Sequence, residues 1–227
     1  MYAYPRGLTQ EVMEIMGRSK HIVPYLDMPL QHISDSMLRR MRRGKGGEST
    51  LALLRRLRAA IPNLVLRTTF ITGLPGETEE EFQELCEVVR EIKFERMGVF
   101  VFSPEDGTPA ADMDDQIDRE VAEHRRDRLM EIQREISLEQ QKALIGRKLT
   151  VLVEGVSDET ELLLQGRHVG QAPEIDGVTY INDGNASAGD LVEIIVEDAS
   201  DYDVVGGIER IVCLLYTSDA ADDRMRV

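Results

Sequence analysis

The stretch RTTFITGLPGET, residues 67–78, decides the predicted fold of this 227-residue chain. Its first half is apolar and β-branched, which is typical of a buried strand. A glycine-rich turn follows at 73–76, and Thr78 with Glu81 three residues later forms a capping box that begins a helix. A strand that passes through a turn into a helix is the repeating unit of a parallel sheet. The stretch therefore predicts an α/β domain.

Strand-like and helix-like segments alternate on both sides of this unit. The pattern predicts strands at 21–26, 64–71 and 97–102. Helices are predicted at 8–16 and 118–146, and three more lie between them: one begins at 34, one ends near 60, and one begins at 78. Apolar spacing places Val12, Ile15 and Met16 on the inner face of the first helix. The inner face of the last helix is predicted to carry Val121, Leu129, Ile132, Ile136 and Ala143.

A different pattern begins at Arg147, where short strands are separated by Gly, Asp and Asn turns. Strands are predicted at 149–154, 161–166, 178–181 and 191–196. This spacing is typical of a small, OB-like antiparallel β-barrel. The sequence thus predicts two domains, 1–146 and 147–211. Residues 212–227 match neither pattern and are interpreted as a non-native tail that resembles a translated adapter.

Charge and cysteine content exclude several classes of protein. The net charge is −15, with 21 Lys and Arg against 25 Asp and Glu in 1–146 and 4 against 14 in 147–211. This charge disfavours broad nucleic-acid binding and favours a basic partner. We expect a cytoplasmic protein, because no apolar run is long enough to span a bilayer and no secretory signal begins the chain. Two distant cysteines, Cys86 and Cys213, give neither a disulfide framework nor metal-ligand spacing.

Three loops that follow predicted strands carry the polar residues of a candidate site. They are 67–78, 25–35 with Gln31, His32 and Ser34, and 100–110. Parallel strands end at one edge of a sheet, where α/β proteins bind ligands. Each loop also has a structural interpretation: a tight turn, an N-cap at Ser34 with a hydrogen-bonded His32, and a surface loop. The basic run at 39–43 is interpreted as a solvated helix face.

Five motifs occur in order along the chain: YAYPRG at 2–7, PYLDMPLQH at 24–32, RTTFITGLPGET at 67–78, FSPE at 102–105 and APEIDG at 172–177. Together they resemble the radical-SAM methylthiotransferases, in the branch that modifies an aspartate of a small-subunit ribosomal protein. The resemblance extends from Tyr2 to Ile211. It implies a partial radical-SAM (β/α) barrel followed by a TRAM domain.

The resemblance also implies cofactors and a site. Enzymes of this family use S-adenosylmethionine and two 4Fe-4S clusters, one of them held by a Cys-x3-Cys-x2-Cys motif. One S-adenosylmethionine gives a methyl group to sulfur, and a second yields a radical that takes a hydrogen from the β-carbon of the target aspartate. The cofactor-binding residues implied for this chain are Gln31, Ser34, Thr69, Gly73, Gly76, Glu77, Phe102 and Ser103. No catalytic base and no metal ligand is assigned.

The chain departs from the family because it has no cysteine triplet for either cluster. We therefore expect an N-terminally truncated enzyme, with Met1 an internal methionine, that binds no iron and does not cleave the cofactor. Two alternatives stay open. One is the sister enzyme that modifies an adenosine of transfer RNA, which the acidic second domain disfavours. The other is a non-enzymatic module in which the TRAM-like barrel alone docks a partner.

Overall fold

A computed structural model describes residues 3–43 and 46–213, without the side chain of Arg6. The chain divides into two compact units, Met1–Gln140 and Gln141–Val227. No helix in the described ranges is long and apolar enough to cross a membrane. The domain limits predicted above stay a proposal. Of the predicted tail, the first two residues end the last strand, and the rest lies outside the described ranges.

The first unit is built from parallel strands connected by helices. Its elements are α1 (Gln10–Arg18), β1 (Tyr25–Asp27), α2 (Asp35–Arg40), α3 (Gly47–Ala60), β2 (Val65–Thr72), α4 (Glu79–Ile92), β3 (Arg96–Val101) and α5 (Arg119–Lys142), whose last two residues belong to the second unit. The strands form one parallel sheet in the order β1-β2-β3. The predicted α/β fold is confirmed.

Alternation along β2 shows which face of the sheet packs on the core. Every second residue from Leu66 to Thr72 is buried, and the residues between them are half-buried. Phe70 contacts Phe94 edge to face, with ring centroids 5.8 Å apart. The predicted capping box is confirmed: Thr78 Oγ1 accepts a hydrogen bond from the Glu81 amide, and the Glu81 carboxylate accepts one from the Thr78 amide. It begins α4, whose apolar stripe joins the same core.

In two helices the buried face agrees only in part with the one predicted. In α1, Met16 is buried as predicted, whereas Val12 and Ile15 are exposed and Met13 is buried instead. The reason is Gly17, which shares the face of Met13 and lies so close to the Ala60 carbonyl that a Cβ atom would overlap it. Two apolar stripes overlap in this helix, and close contact with α3 selects the one that contains the glycine.

In α5 the inward position is Ala122, and Val121 is 42% exposed. Leu129, Ile132 and Ile136 are buried as predicted. Ala143 lies beyond the end of the helix and is exposed. Close packing against Gly73 places Ala122, rather than Val121, on the buried stripe at the beginning of the helix.

The second unit is a closed five-stranded barrel. Its strands are β4 (Lys148–Val156), β5 (Leu164–His168), β6 (Thr179–Asp183), β7 (Leu191–Ala199) and β8 (Val204–Cys213), in the order β4-β5-β6-β8-β7. Alternate residues from β4, β6, β7 and β8 form its core. The predicted small barrel is confirmed.

The barrel differs from the prediction in two respects. Strand β8 was not predicted, because its Gly206-Gly207 pair indicates a turn. Gly206 instead lies against the Ile195 carbonyl, where a Cβ atom would overlap. In addition, β6 and β8 pair in parallel, whereas the other pairs are antiparallel.

Candidate functional site

Gln31 lies beyond the end of β1, beside Thr69 of β2. The Gln31 amide donates to the Thr69 carbonyl, and the Ile71 amide donates to the Gln31 carbonyl, each at 2.8 Å. Gln31 therefore continues the sheet after β1 has ended, with a left-handed φ of 71°. Both side chains are half-buried. A residue other than glycine in this conformation is strained, and such strain occurs often at binding sites.

We expect Gln31→Gly to raise the free energy of unfolding by about 1 kcal/mol, because glycine adopts a left-handed φ without strain. Gln31→Ala, which keeps the strain and removes the same amide, is the matched control and should show no gain. Urea unfolding of both variants measures the difference. A glycine variant less stable than the alanine variant would contradict the assignment of strain to this position.

Backbone amides of the glycine turn, residues 73–76, hold the turn in place. Gly73 and Gly76 have φ values of 76° and 77°. The Gly73 amide donates to Glu77 Oε2 at 2.8 Å, and the Gly76 amide donates to the Asp115 carbonyl at 2.8 Å. Arg40 holds the outer side of the turn, because its Nη1 donates to the Pro75 carbonyl at 3.1 Å and to Asp115 Oδ2 at 2.7 Å. The pKa of the Asp115 carboxyl is lowered by the Arg40 hydrogen bond.

A buried network of charges lies beneath the turn. Glu77 and His32 have fully buried side chains, and Arg125 of α5 is 7% exposed. The Ser34 amide donates to His32 Nδ1 at 3.0 Å, so the ring proton resides on Nε2, which donates to Glu77 Oε1 at 3.2 Å. Glu77 Oε2 accepts from Arg125 Nη1 at 2.7 Å and from the Gly73 amide. The carboxylate thus joins three separate parts of the first unit.

Burial raises the pKa of the Glu77 carboxyl, but hydrogen bonds from His32, Gly73 and Arg125 outweigh it and hold the pKa below its ordinary value of 4.5. A folded pKa below the unfolded one stabilises the fold at pH above 4.5, and this contribution is lost as the pH falls through the folded pKa. We therefore expect the difference in urea midpoint between the native chain and Glu77→Gln to be largest at neutral pH and to shrink under acid. The exposed Glu80→Gln is the control, and an equal difference at all pH values would contradict the expectation.

Ser34 occupies the N-cap position of α2 without making the expected cap bond. Its hydroxyl donates instead to Glu81 Oε1 at 2.8 Å, and Ser36 donates to the same oxygen. Ser34 is buried and links the beginning of α2 to the beginning of α4. The Ser34 hydroxyl proton therefore already makes a hydrogen bond to a protein group.

Phe102 and Ser103 border a cavity where β3 ends. The Phe102 amide donates to the Thr72 carbonyl at 2.8 Å, which extends the pairing of β3 with β2 by one residue. The cavity measures about 430 Å³, and Gly73, Phe102, Ser103, Gln116 and Ala122 are among its lining residues. Its size lies within the range of small-molecule sites.

The structure therefore sorts the eight predicted site residues into groups. Gly73, Phe102 and Ser103 share the cavity, and Gln31 with Thr69 forms a half-buried pair on the sheet. Gly76 lies on the Arg40 side of the turn. Glu77 and Ser34 are buried in networks of their own, so the structure shows them bonded to protein groups.

Sequence reasoning missed Arg125, Arg40 and Asp115. Arg125 had a detectable signal, since it lies three residues after Ala122 and four before Leu129 on the buried stripe of α5. A charged residue on an apolar stripe indicates a buried partner. Arg40 belongs to the run interpreted as a solvated face, and no local pattern distinguishes Asp115.

Metal ligands are sparse in the part of the chain that the structure describes. There, no group of three or more His, Cys, Asp or Glu side chains is arranged to hold a metal ion. Cys86 is buried in α4, where burial raises the pKa of its thiol, and Cys213 is exposed at the end of β8.

Known proteins match both units. The Radical SAM superfamily matches residues 3–89, and the TRAM domain matches residues 145–208. The "Ribosomal protein uS12 methylthiotransferase RimO" of Anaeromyxobacter sp. (strain Fw109-5) is 57% identical over 207 residues, which cover 91% of this chain and 44% of that protein. The protein of the same name from Bdellovibrio bacteriovorus is 48% identical over 208 residues, or 92% of this chain and 46% of its own. Over about nine tenths of its own length, this chain is similar to proteins that are named uS12 methylthiotransferases.

A solved structure is similar to this chain at the level of the fold. Coproporphyrinogen III oxidase (HemN) from Escherichia coli, described as a radical SAM enzyme, matches with a TM-score of 0.51 and 15% identity over 74% of this chain and 45% of its own. The chain spans less than half the length of the curated relatives that it matches. The predicted order of a radical-SAM segment followed by a TRAM domain is confirmed.

Proposed function

We propose that this chain is part of an enzyme that adds a methylthio group to the β-carbon of an aspartate in the small-subunit ribosomal protein uS12. Its first unit would hold S-adenosylmethionine, and its TRAM unit would dock the substrate. One observation carries the proposal: the cavity that Gly73, Phe102 and Ser103 help to line lies at the carboxyl ends of the parallel strands β2 and β3. A ribosomal substrate places the reaction in the cytoplasm, which belongs to the same proposal.

The residues at this edge fit the chemistry of S-adenosylmethionine. Phe102 offers an aromatic surface for a purine, and Gln31, Thr69 and Ser103 offer hydrogen-bonding groups for the ribose and amino-acid ends. When bound in the intact enzyme, the cofactor supplies the methyl group and the radical. The chain's own part is to bind and orient it, because none of the residues at this edge is poised as a general base.

Iron-sulfur clusters do not fit the residues present. The chain has two cysteines, whereas a 4Fe-4S cluster of this kind needs three thiolates. We expect anaerobic reconstitution of the 227-residue chain to leave no stoichiometric cluster, as measured by iron and sulfide analysis. A stoichiometric four-iron cluster would contradict this expectation.

The barrel unit supports a basic protein as the substrate. Acidic residues outnumber basic ones by 14 to 4 in 147–211. Three of the four basic side chains form ion pairs within the unit: Lys148 with Glu193 and Glu209, Arg167 with Glu154, and Arg210 with Glu193. The barrel therefore has little positive charge to offer phosphates, and its acidic surface attracts a basic partner.

The β4–β5 loop gives this surface a defined test region. It contains Asp158, Glu159 and Glu161, next to Leu162, which is 89% exposed. Tyr180 donates to Glu159 at 3.0 Å, and burial together with that carboxylate raises the pKa of Tyr180 to about 12. The tyrosine therefore stays a neutral donor at physiological pH and holds one acid of the loop in place.

A binding comparison tests the proposed function. The 227-residue chain is immobilised and offered purified uS12 or transfer RNA at several salt concentrations. We expect retention of uS12, weakened by salt and by the triple change Asp158→Asn, Glu159→Gln and Glu161→Gln. Preferential retention of transfer RNA would favour the sister enzyme. Retention of uS12 by a chain that shows no S-adenosylmethionine binding would favour the non-enzymatic module.

A further inference from the structure

We propose that Glu77 is a positioning residue of the cofactor site: by bonding His32, Gly73 and Arg125 at once, it fixes the separation between the Gln31 segment and the glycine turn. This inference rests on the proposed function, because it takes those two segments to hold the cofactor. It assigns Glu77 a role different from the direct cofactor contact that the family resemblance implies.

Glu77 has no free surface for a ligand. Its side chain is fully buried, Oε1 accepts from His32 Nε2, and Oε2 accepts from both the Gly73 amide and Arg125 Nη1. Arg125 also donates to the Glu77 carbonyl at 3.0 Å. Any effect of this carboxylate on a ligand must therefore pass through its neighbours.

Each neighbour leads to a residue of the proposed site. His32 directly follows Gln31, and its Nδ1 accepts from the Ser34 amide at the beginning of α2. Gly73 lines the cavity, as does Ala122, which lies one turn before Arg125 on α5. Moving the carboxylate would thus displace the segment that carries Gln31 and the turn that borders the cavity.

A neutral side chain cannot replace the carboxylate. Glutamine has one acceptor oxygen, and the network supplies donors to both oxygens of Glu77. If the glutamine NH2 group faced Gly73 and Arg125, it would oppose their N–H donors with no acceptor between them. If the NH2 group faced His32, Nε2 would have to accept its hydrogen bond. The ring proton would then lie on Nδ1, where it would oppose the Ser34 amide N–H. The arrangement therefore depends on an ionised carboxylate and on one histidine tautomer.

Two variants of His32 separate its two bonds. Glutamine places a donor near the position of Nε2 and can still reach Glu77, whereas asparagine replaces Nδ1 and is too short to reach it. We measure the amide exchange rate of Gly73 by NMR and titrate the same samples of the full chain with S-adenosylmethionine. In His32→Asn we expect Gly73 exchange and the dissociation constant each to rise by about tenfold or more, the factor for one lost bond to a charged group. In His32→Gln we expect both to stay within about threefold of the native chain.

Several outcomes would overturn the inference. They are unchanged Gly73 exchange in both variants, equal losses in both variants, and a loosened turn that binds the cofactor as tightly as the native chain does. If His32→Asn does not fold, Arg125→Lys and Arg125→Gln make the same comparison from α5, with the lysine expected to retain binding. If the native chain does not bind S-adenosylmethionine, the proposed function fails, and the exchange rates alone then decide whether Glu77 couples the two segments.

Discussion

Arg125→Met is expected to lower the free energy of unfolding of the first unit by about 3 to 5 kcal/mol, because it leaves the buried Glu77 carboxylate without its ion-pair partner. The side chains of this pair are 7% and 0% exposed, with 2.7 Å between Nη1 and Oε2. Arg125 also lies over the Phe82 ring, 5.4 Å from its centroid, so packing is lost with the charge. Hydrogen exchange of α4 peptides as a function of urea reports this unit separately from the barrel.

The neighbouring Arg126 provides the control for Arg125. It pairs with Asp127 on the helix surface, and its side chain is 38% exposed. Arg126→Met is expected to change the free energy of unfolding by less than about 0.5 kcal/mol, as exposed ion pairs contribute little. Similar losses in the two variants would show that removal of charge from α5, rather than the buried pair, is responsible.

Gly73→Ala is expected to destabilise the first unit by about 3 kcal/mol, through backbone strain and steric overlap together. The residue has a φ of 76°, and a Cβ atom would overlap the Ala122 side chain. Helix α5 must then move, because Ala122 has no flexible side chain that could yield. The same urea-dependent hydrogen exchange of α4 measures the loss.

Gly107→Ala separates strain from overlap. Gly107 has the same φ of 76°, with no atom within 4 Å of an added Cβ. This variant should show the strain alone, about 1 kcal/mol. Adding Ala122→Gly to Gly73→Ala should restore part of the loss, even though glycine disfavours the helix. A double variant less stable than Gly73→Ala would refute the overlap.

The parts of the fold that depend on local patterns were predictable. The apolar strand before Gly73 and the capping box at Thr78 are each indicated by residues close together in the sequence, and the structure shows both. Apolar spacing identified Met16 in α1 and Leu129 in α5, but not the buried positions of Met13 and Ala122. They depend on close contacts of Gly17 and Gly73 with residues distant in the sequence. Tertiary contact thus selected between overlapping stripes.

Only part of the candidate site follows from the sheet. Parallel strands end at one edge, and the structure pairs Gln31 with Thr69 and Phe70 of β2, whereas a single cofactor site formed by all eight residues stays a prediction. The partners of Glu77 could not be derived, because His32 and Arg125 lie 45 and 48 residues from it along the chain. Hydrogen bonds over such separations leave no periodic signal, apart from the charge on the apolar stripe of α5.

The parallel pairing of β6 with β8 has a consequence for synthesis. Strand β8 follows the other four barrel strands along the chain, and it bonds to both β6 and β7. Until it emerges, β4 can pair with β5 and β7, but β6 and β7 expose the edges that β8 will occupy. The barrel therefore cannot close during translation before residue 204 is available, and a nascent chain halted earlier presents unpaired strands to its surroundings.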